Sequence, residues 1–248
     1  PFHVQLVGAL ALYHGHIIEM FTGEGKTLTG AVAASLIAWR RRRLHVFTVN
    51  DYLAARDARS REKIYGRCGL TVGAITQETE PGERSGIYSR SIVYGTPKQI
   101  TADWLRDQIG ETVNFTVRQG DEVVYVERVS PQRMMRVEQV IGSRAPLHVT
   151  AVGKLMLGEA GESVISDYVR RTRLPAYTVN THCNRKQLLA DIQASLTRGY
   201  ALDNEEAELG VACIGVLVRD ASGAVVAGLS VSAPVERRKL DWVGLVQE

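Results

Sequence analysis

Hydrophobic positions along the chain change their rhythm once. Up to about residue 108, short apolar runs alternate with stretches of helical period. The Ile17-Ile18-Glu19-Met20 run reads as a strand entering a glycine-rich turn, and a helix is predicted over 27–42. A strand is predicted over 44–49 (LHVFTV), with Asp51 placed to N-cap the helix after it. Strands at 70–75 and 91–94 then alternate with helices at 81–88 and 97–106. Strand–helix alternation at this spacing means βαβ units and a parallel sheet.

From Glu111 the pattern is different. Segments 112–118 and 122–129 are β-branched or alternating strands, joined as a hairpin by Gln119-Gly120-Asp121. Helices are predicted over 151–158, 163–171 and 185–198, and a second strand pair over 211–219 and 225–231 turns at Ala221-Ser222-Gly223. A strand meander with helices laid on it is an α+β domain. The expected fold is thus an α/β fragment with a parallel sheet and a glycine-rich (P-loop) turn, residues 1–109, followed by an α+β domain with a mainly antiparallel sheet, residues 110–248. The change falls within about 106–111 with no flexible linker, whereas domain boundaries ordinarily lie in polar, mobile segments.

Composition narrows the function classes. The chain has 248 residues, 45% of them hydrophobic and 23% charged, enough to build real cores and too apolar for a disordered chain. No apolar run approaches the roughly 20 residues that span a bilayer. Three widely spaced cysteines, Cys68, Cys183 and Cys213, do not make a disulfide framework and suit a cytoplasmic protein. No signal peptide is visible, and a start at Pro1 suggests that the true N-terminus is missing. Basic residues number fourteen against ten acidic up to residue 109, and sixteen against seventeen beyond it, so neither half has a nucleic-acid binder's charge. Arg40 to Arg43 reads as a solvated helix end whose cations complement the dipole. His14 with His16, and His182 with Cys183, do not complete a four-ligand set, so no structural metal is expected.

Thr22-Gly23-Glu24-Gly25-Lys26-Thr27 carries phosphate chemistry. Glycines let backbone N–H groups curl round phosphates, Lys26 can reach the outer oxygens, and Thr27 can hold Mg²⁺ with the nucleotide. Met20 stands where the usual pattern has glycine, and an ordinary strand–helix turn remains the alternative. Together with Pro1-Phe2-His3-Val4-Gln5-Leu6, Thr48-Val49-Asn50-Asp51-Tyr52-Leu53-Ala54-Ala55-Arg56-Asp57, Tyr94-Gly95-Thr96 and Asp103-Trp104-Leu105-Arg106-Asp107, the loop resembles the first nucleotide-binding domain of SecA-type preprotein translocase ATPases, over about residues 1–108. The resemblance implies that Gln5 reads adenine, that Thr22 to Thr27 hold Mg-ATP or Mg-ADP, and that Arg56 and Asp57 belong to a motor motif. Such motors also need a second acidic motif and an arginine from another lobe. The only Asp-Glu pair, Asp121-Glu122, falls in a hairpin turn, so ATP hydrolysis is not expected.

The second half is similar to the effector-binding domain of IclR-type bacterial transcription regulators. The stretches that carry the likeness are Glu111 to Phe115, Gly120 to Val126, Ile141 to Lys154, Arg198 to Glu206, Gly210 to Ile214, Val218 to Gly223 and Leu229 to Pro234, within about 110–235. The residues alone place Ser230 and Ser232 on one strand face, and Thr150-Ala151-Val152-Gly153 at a helix start with free N–H groups. A small polar set walled by apolar residues suits a small organic acid. The resemblance implies effector contacts at Ala151, Val152, Asp203, Cys213, Ser230 and Ser232, and an apolar wall at Met134, Val137 and Val211. Without it, Cys213 reads as a buried small hydrophobe and the serines as strand-end polar groups. Cys213 with His148 lacks a third group to orient a catalytic pair.

The function expected is effector binding without catalysis, by a homo-oligomer assembled through the second domain. No helix-turn-helix is discernible in residues 1–109, so specific DNA binding is not expected. Two alternatives stand beside it. One is an ATP-binding fragment of a translocase motor acting in protein export, with translocon or membrane contact. The other is a non-biological or erroneous fusion.

Overall fold

The computed structural model describes residues 1–247. The chain divides into two compact units, Pro1–Ile100 and the remainder from Thr101. The first holds helices α1 (His3–Tyr13) and α2 (Lys26–Arg41), strand β1 (Leu44–Phe47), α3 (Asp51–Arg67), β2 (Val72–Ala74), α4 (Pro81–Tyr88) and β3 (Ile92–Gly95). Its sheet has the order β1-β3-β2, with both pairings parallel. Alanines explain how the helices pack here: Ala31, Ala34 and Ala38 of α2 and Ala54 and Ala58 of α3 are buried with Val72, Ile92 and Tyr94. Small side chains permit close approach, and the hydroxyls of Tyr65 and Tyr94, 2.6 Å apart, satisfy one another inside this core.

Two local expectations are corrected. Among the described residues no strand forms over 17–20. Ile17 there is fully exposed, so the run has no layer to bury against, and apolar character alone does not make a strand. The cap of α3 is Asn50, whose side chain accepts from the Leu53 N–H at 2.9 Å. Asp51 instead accepts from the Gln77 N–H at 2.7 Å.

The division at Ile100 falls inside helix α5 (Pro97–Ile109) rather than at 109/110. Ala102, Leu105 and Ile109 are the reason, because they belong to the core of the second unit. That unit continues with β4 (Thr112–Gln119), β5 (Glu122–Val129), β6 (Arg144–Pro146), α6 (Ala151–Ala160), α7 (Glu162–Thr172), α8 (Arg185–Arg198), β7 (Ala201–Asn204), β8 (Val211–Arg219), β9 (Val225–Pro234) and α9 (Trp242–Gln247). Its six strands form one antiparallel sheet in the order β6-β5-β4-β9-β8-β7.

Period-two alternation gives the sheet two different faces. Val113, Phe115, Ile214, Val216, Leu229, Val231 and Ala233 pack with α5 and α9 in one core. The opposite face, carrying Asn114, Cys213, Gly215, Gly228, Ser230 and Ser232, is small and polar. Helices α6, α7 and α8 form a second core through Val152, Met156, Leu157, Ile165, Tyr168, Leu188 and Ile192. Among the described residues, no helix is long and apolar enough to cross a membrane.

Candidate functional site

Loop 22–27 shapes the start of α2. Gly23 and Gly25 take positive φ of 92° and 81°, and Gly25 is the N-cap. Gln5 fixes this shape, since its Nε2 donates to the Glu24 carbonyl at 2.9 Å and lies where a Cβ on Gly25 would be, 2.4 Å away. The Glu24 carboxylate accepts from the Phe21 N–H at 2.8 Å. Thr22, Lys26 and Thr27 are exposed at a helix N-terminus that no side chain caps. Gln5 is thus engaged with the loop itself. Arg56 and Asp57 sit side by side on α3 and pair at 2.7 Å. The four arginines from Arg40 to Arg43 are all exposed.

The second unit encloses a cavity of about 60 Å³. Ala151 and Val152 from the start of α6, Asp203 from β7, Val211 and Cys213 from β8, and Ser230 from β9 line it. The polar sheet face therefore brings together six of the positions expected from the sequence. Thr150 completes the helix start: its hydroxyl turns back toward the carbonyls of Pro146 and Leu147 at 3.4 and 3.5 Å, leaving the first-turn N–H groups without a side-chain cap. Uncapped N–H groups and the helix dipole favour an anion there.

Three expected positions fall elsewhere. Ser232 sits behind the lining, where it receives a hydrogen bond from Asn114 Nδ2 at 3.1 Å and lies 3.2 Å from Cys213 Sγ, so it orients the thiol. Met134 is fully exposed and forms no apolar wall. Val137 is half-buried and contributes its carbonyl, which accepts from the Thr112 hydroxyl at 2.7 Å. Segment 130–143 is held by backbone carbonyls like this one and by the ion pairs Arg133–Glu111 and Arg128–Glu138, so side-chain hydrophobicity did not predict its course. Tyr125, Gln139, Ala145, Ala207 and Glu208 line the cavity as well. Alternation from Val123 could have placed Tyr125, whereas nothing in an irregular segment marks Gln139. Its Oε1 is buried with no hydrogen-bond partner.

Burial dominates the electrostatics. It pushes the Cys213 thiol and the Tyr125 hydroxyl up, keeping both protonated. It also raises the Asp203 carboxyl to about 6, against a hydrogen bond from the Glu206 N–H to Oδ1 at 2.8 Å. Behind Asp203 the fully buried Lys154 ammonium lies 2.6 Å from each of three oxygens: Glu206 Oε1, Asp191 Oδ2 and the Leu202 carbonyl. His182 stands at the rim, 3.7 Å from Asp191 and 3.8 Å from Glu206, and the Asp191 carboxylate raises its pKa. A metal ion in this cluster would have to displace the ammonium from both carboxylates. His148 is no base for Cys213, because its ring nitrogens meet the Tyr168 hydroxyl at 2.8 Å and the Pro175 carbonyl at 3.1 Å.

Comparison with known proteins accounts for both units. The SecA DEAD-like domain family matches residues 1–130, and the family of bacterial transcriptional regulator IclR C-terminal domains matches residues 96–243. Protein translocase subunit SecA 2 of Chlorobium chlorochromatii is 45% identical over 134 residues. That match covers 50% of this chain, and the chain spans only 20% of the relative's length. Among solved structures, Thermotoga maritima IclR is 29% identical with a TM-score of 0.56, covering 60% of this chain and 62% of that one. The inducer-binding domain of the PobR transcription factor from Acinetobacter, a double mutant in complex with 3-hydroxybenzoic acid, is 28% identical with a TM-score of 0.56. It covers 60% of this chain and 90% of that one. The two family matches overlap across 96–130, the stretch that contains the passage between the units inside α5. The chain belongs to both families, a SecA DEAD-like segment followed by an IclR C-terminal domain.

Proposed function

We propose that the second unit binds a small organic acid as a regulatory effector. One observation carries this reading: an uncapped helix N-terminus opens into a cavity shared with Ser230, Cys213 and Tyr125. The hydroxyls and N–H groups would hold the carboxylate, and Val152, Val211 and Ala145 would surround its carbon skeleton. The cavity of about 60 Å³ favours a compact acid. The acid held by the PobR domain supports the same ligand class. The chain acts in the cytoplasm, without catalysis and without reading an operator, as a homo-oligomer formed through this unit. Calorimetric titration of the full chain with a panel of small carboxylates tests the reading, and a panel without binding would sink it.

A second reading concerns loop 22–27. Gly25 in the left-handed region and the exposed Lys26 and Thr27 support binding of Mg-ADP or Mg-ATP. Asp121 of the sequence's Asp-Glu pair is bound by Arg171 at 2.7 Å in the β4–β5 turn, which supports a loop without its own Mg²⁺-anchoring acid. On this reading nucleotide is bound and not turned over. Phosphate release of even a few per second would overturn this, and sequencing the gene across codons 106–111 tests whether the fusion is genuine.

A further inference from the structure

We infer that Asp203 shares a proton with the bound acid, so that the cavity accepts its ligand as a carboxylate paired with a protonated Asp203 and each binding event takes up one proton. The inference rests on the effector reading above and adds to it the ionic form that is recognised.

The argument starts from the charges round the cavity. Asp203 and Glu208 line it, and among the described residues no lysine or arginine does. The only positive element is the start of α6, equivalent to roughly half a charge. Asp203 is 3% exposed and pairs in register with Cys213 on the neighbouring strand. Its Oδ1 accepts from the Glu206 N–H, the Ala207 N–H and the Cys213 thiol adjoin the carboxyl as well, and the side chain lines the cavity.

Each element round Asp203 faces it with a group of known disposition. Tyr125 comes from β5 and Cys213 from β8, and both are neutral. Glu206 and Glu208 come from the β7–β8 connection. Lys154 comes from α6, but it is shared between Glu206 and the Asp191 carboxylate of α8, and Arg198 of α8 lies 3.8 Å from Asp191 Oδ1. His182 lies 3.7 Å from Asp191 and 3.8 Å from Glu206, and it does not line the cavity. Arg238 is hydrogen-bonded to Asn204.

A second carboxylate in so small a space would sit roughly 5 Å from Asp203, which at an effective dielectric near 20 weakens binding by about two orders of magnitude. Burial already holds Asp203 near the point of protonation, at about 6. Protonating it at neutral pH costs about tenfold. Proton uptake is the smaller penalty. The carboxyl then donates to the ligand, as a neutral acid paired with an anion does. A cavity built this way selects monocarboxylates over dicarboxylates, whose second charge would meet Glu208.

Titration calorimetry on the full chain, with 3-hydroxybenzoate and propionate as probes, reads this directly. Runs between pH 5.5 and 8.5 in phosphate and in Tris separate the heat of proton uptake from that of binding. The expected result is about one proton taken up per acid bound at pH 7.5, with affinity falling up to tenfold per pH unit above about 6. In Asp203→Asn the uptake disappears, the pH slope flattens, and affinity at pH 8 rises several tens of fold. Asparagine keeps an Oδ1 for the Glu206 N–H. Should that variant not fold, the proton count of the unmodified chain still decides. Binding without proton exchange overturns the inference and leaves the effector reading intact. No binding of either probe at millimolar concentration removes both.

Discussion

Asp203 gives the site a pH signature that exists even without ligand. A carboxyl whose folded pKa is raised from 3.8 to about 6 binds more protons folded than unfolded across that window. Its contribution is fully present below about pH 4, declines as pH rises through 6, and stays lost above. The shift corresponds to about 3 kcal/mol. Asp203→Asn should therefore stabilise the second unit by up to about 3 kcal/mol at pH 7.5 and by little at pH 4, as urea denaturation at the two pH values would show. Gln139 offers a different test. Its orphaned Oε1 needs a donor, and a ligand hydroxyl can supply one. Gln139→Met should weaken 3-hydroxybenzoate about fivefold and leave unsubstituted benzoate unchanged, one neutral hydrogen bond being worth about 1 kcal/mol. The contrast between Ser230 and Ser232 shows how far the sequence reaches at this scale. Period two put both on one face, but only Ser230 meets the cavity, while Asn114 and Cys213 claim Ser232. Alternation fixes direction and says nothing of depth.

Elements were legible where a local signal agreed with a tertiary need. The β4–β5 hairpin was readable because Gly120 takes a positive φ of 66° in a turn flanked by β-branched residues. Helix α8 was readable at both ends, with Asn184 capping its start and Gly199 closing it in the left-handed region. The run at 17–20 misled because a strand needs a neighbour, and pairing is a non-local fact. Lys154 was hidden for a similar reason: inside an apolar helix it looks misplaced until the β7–β8 connection and α8 bring Glu206 and Asp191 to it. That ammonium ties three elements together at one buried point. Lys154→Met would leave the buried Glu206 carboxylate and that of Asp191 with only the more distant His182 and Arg198 beside them, and the expected loss is about 3–5 kcal/mol. Urea denaturation gives the measurement, and a change below 1 kcal/mol would mean the cluster is solvated.

For the whole molecule, two compact units with separate cores predict two unfolding transitions in scanning calorimetry. Mg-ADP should raise only the transition of the first unit and a bound acid only that of the second, each by several degrees near 100 times its Kd. A single transition shifted by both ligands would show that the fused halves unfold as one. The boundary could not be read to the residue, because α5 continues through it with no glycine or proline to break it. The sheet of the second unit holds one more consequence. Gly215 and Gly228 leave notches into which Val152 fits, since a Cβ on either would lie 2.8 or 2.7 Å from its side chain. The depth at which α6 beds on the strands, and with it the headroom above Ser230, is thus gauged by two missing methyl groups. Adding one would jack the helix away from the floor. A lineage could in this way pass from smaller acids to larger ones by editing the strands beneath, while every residue that touches the ligand stays as it is.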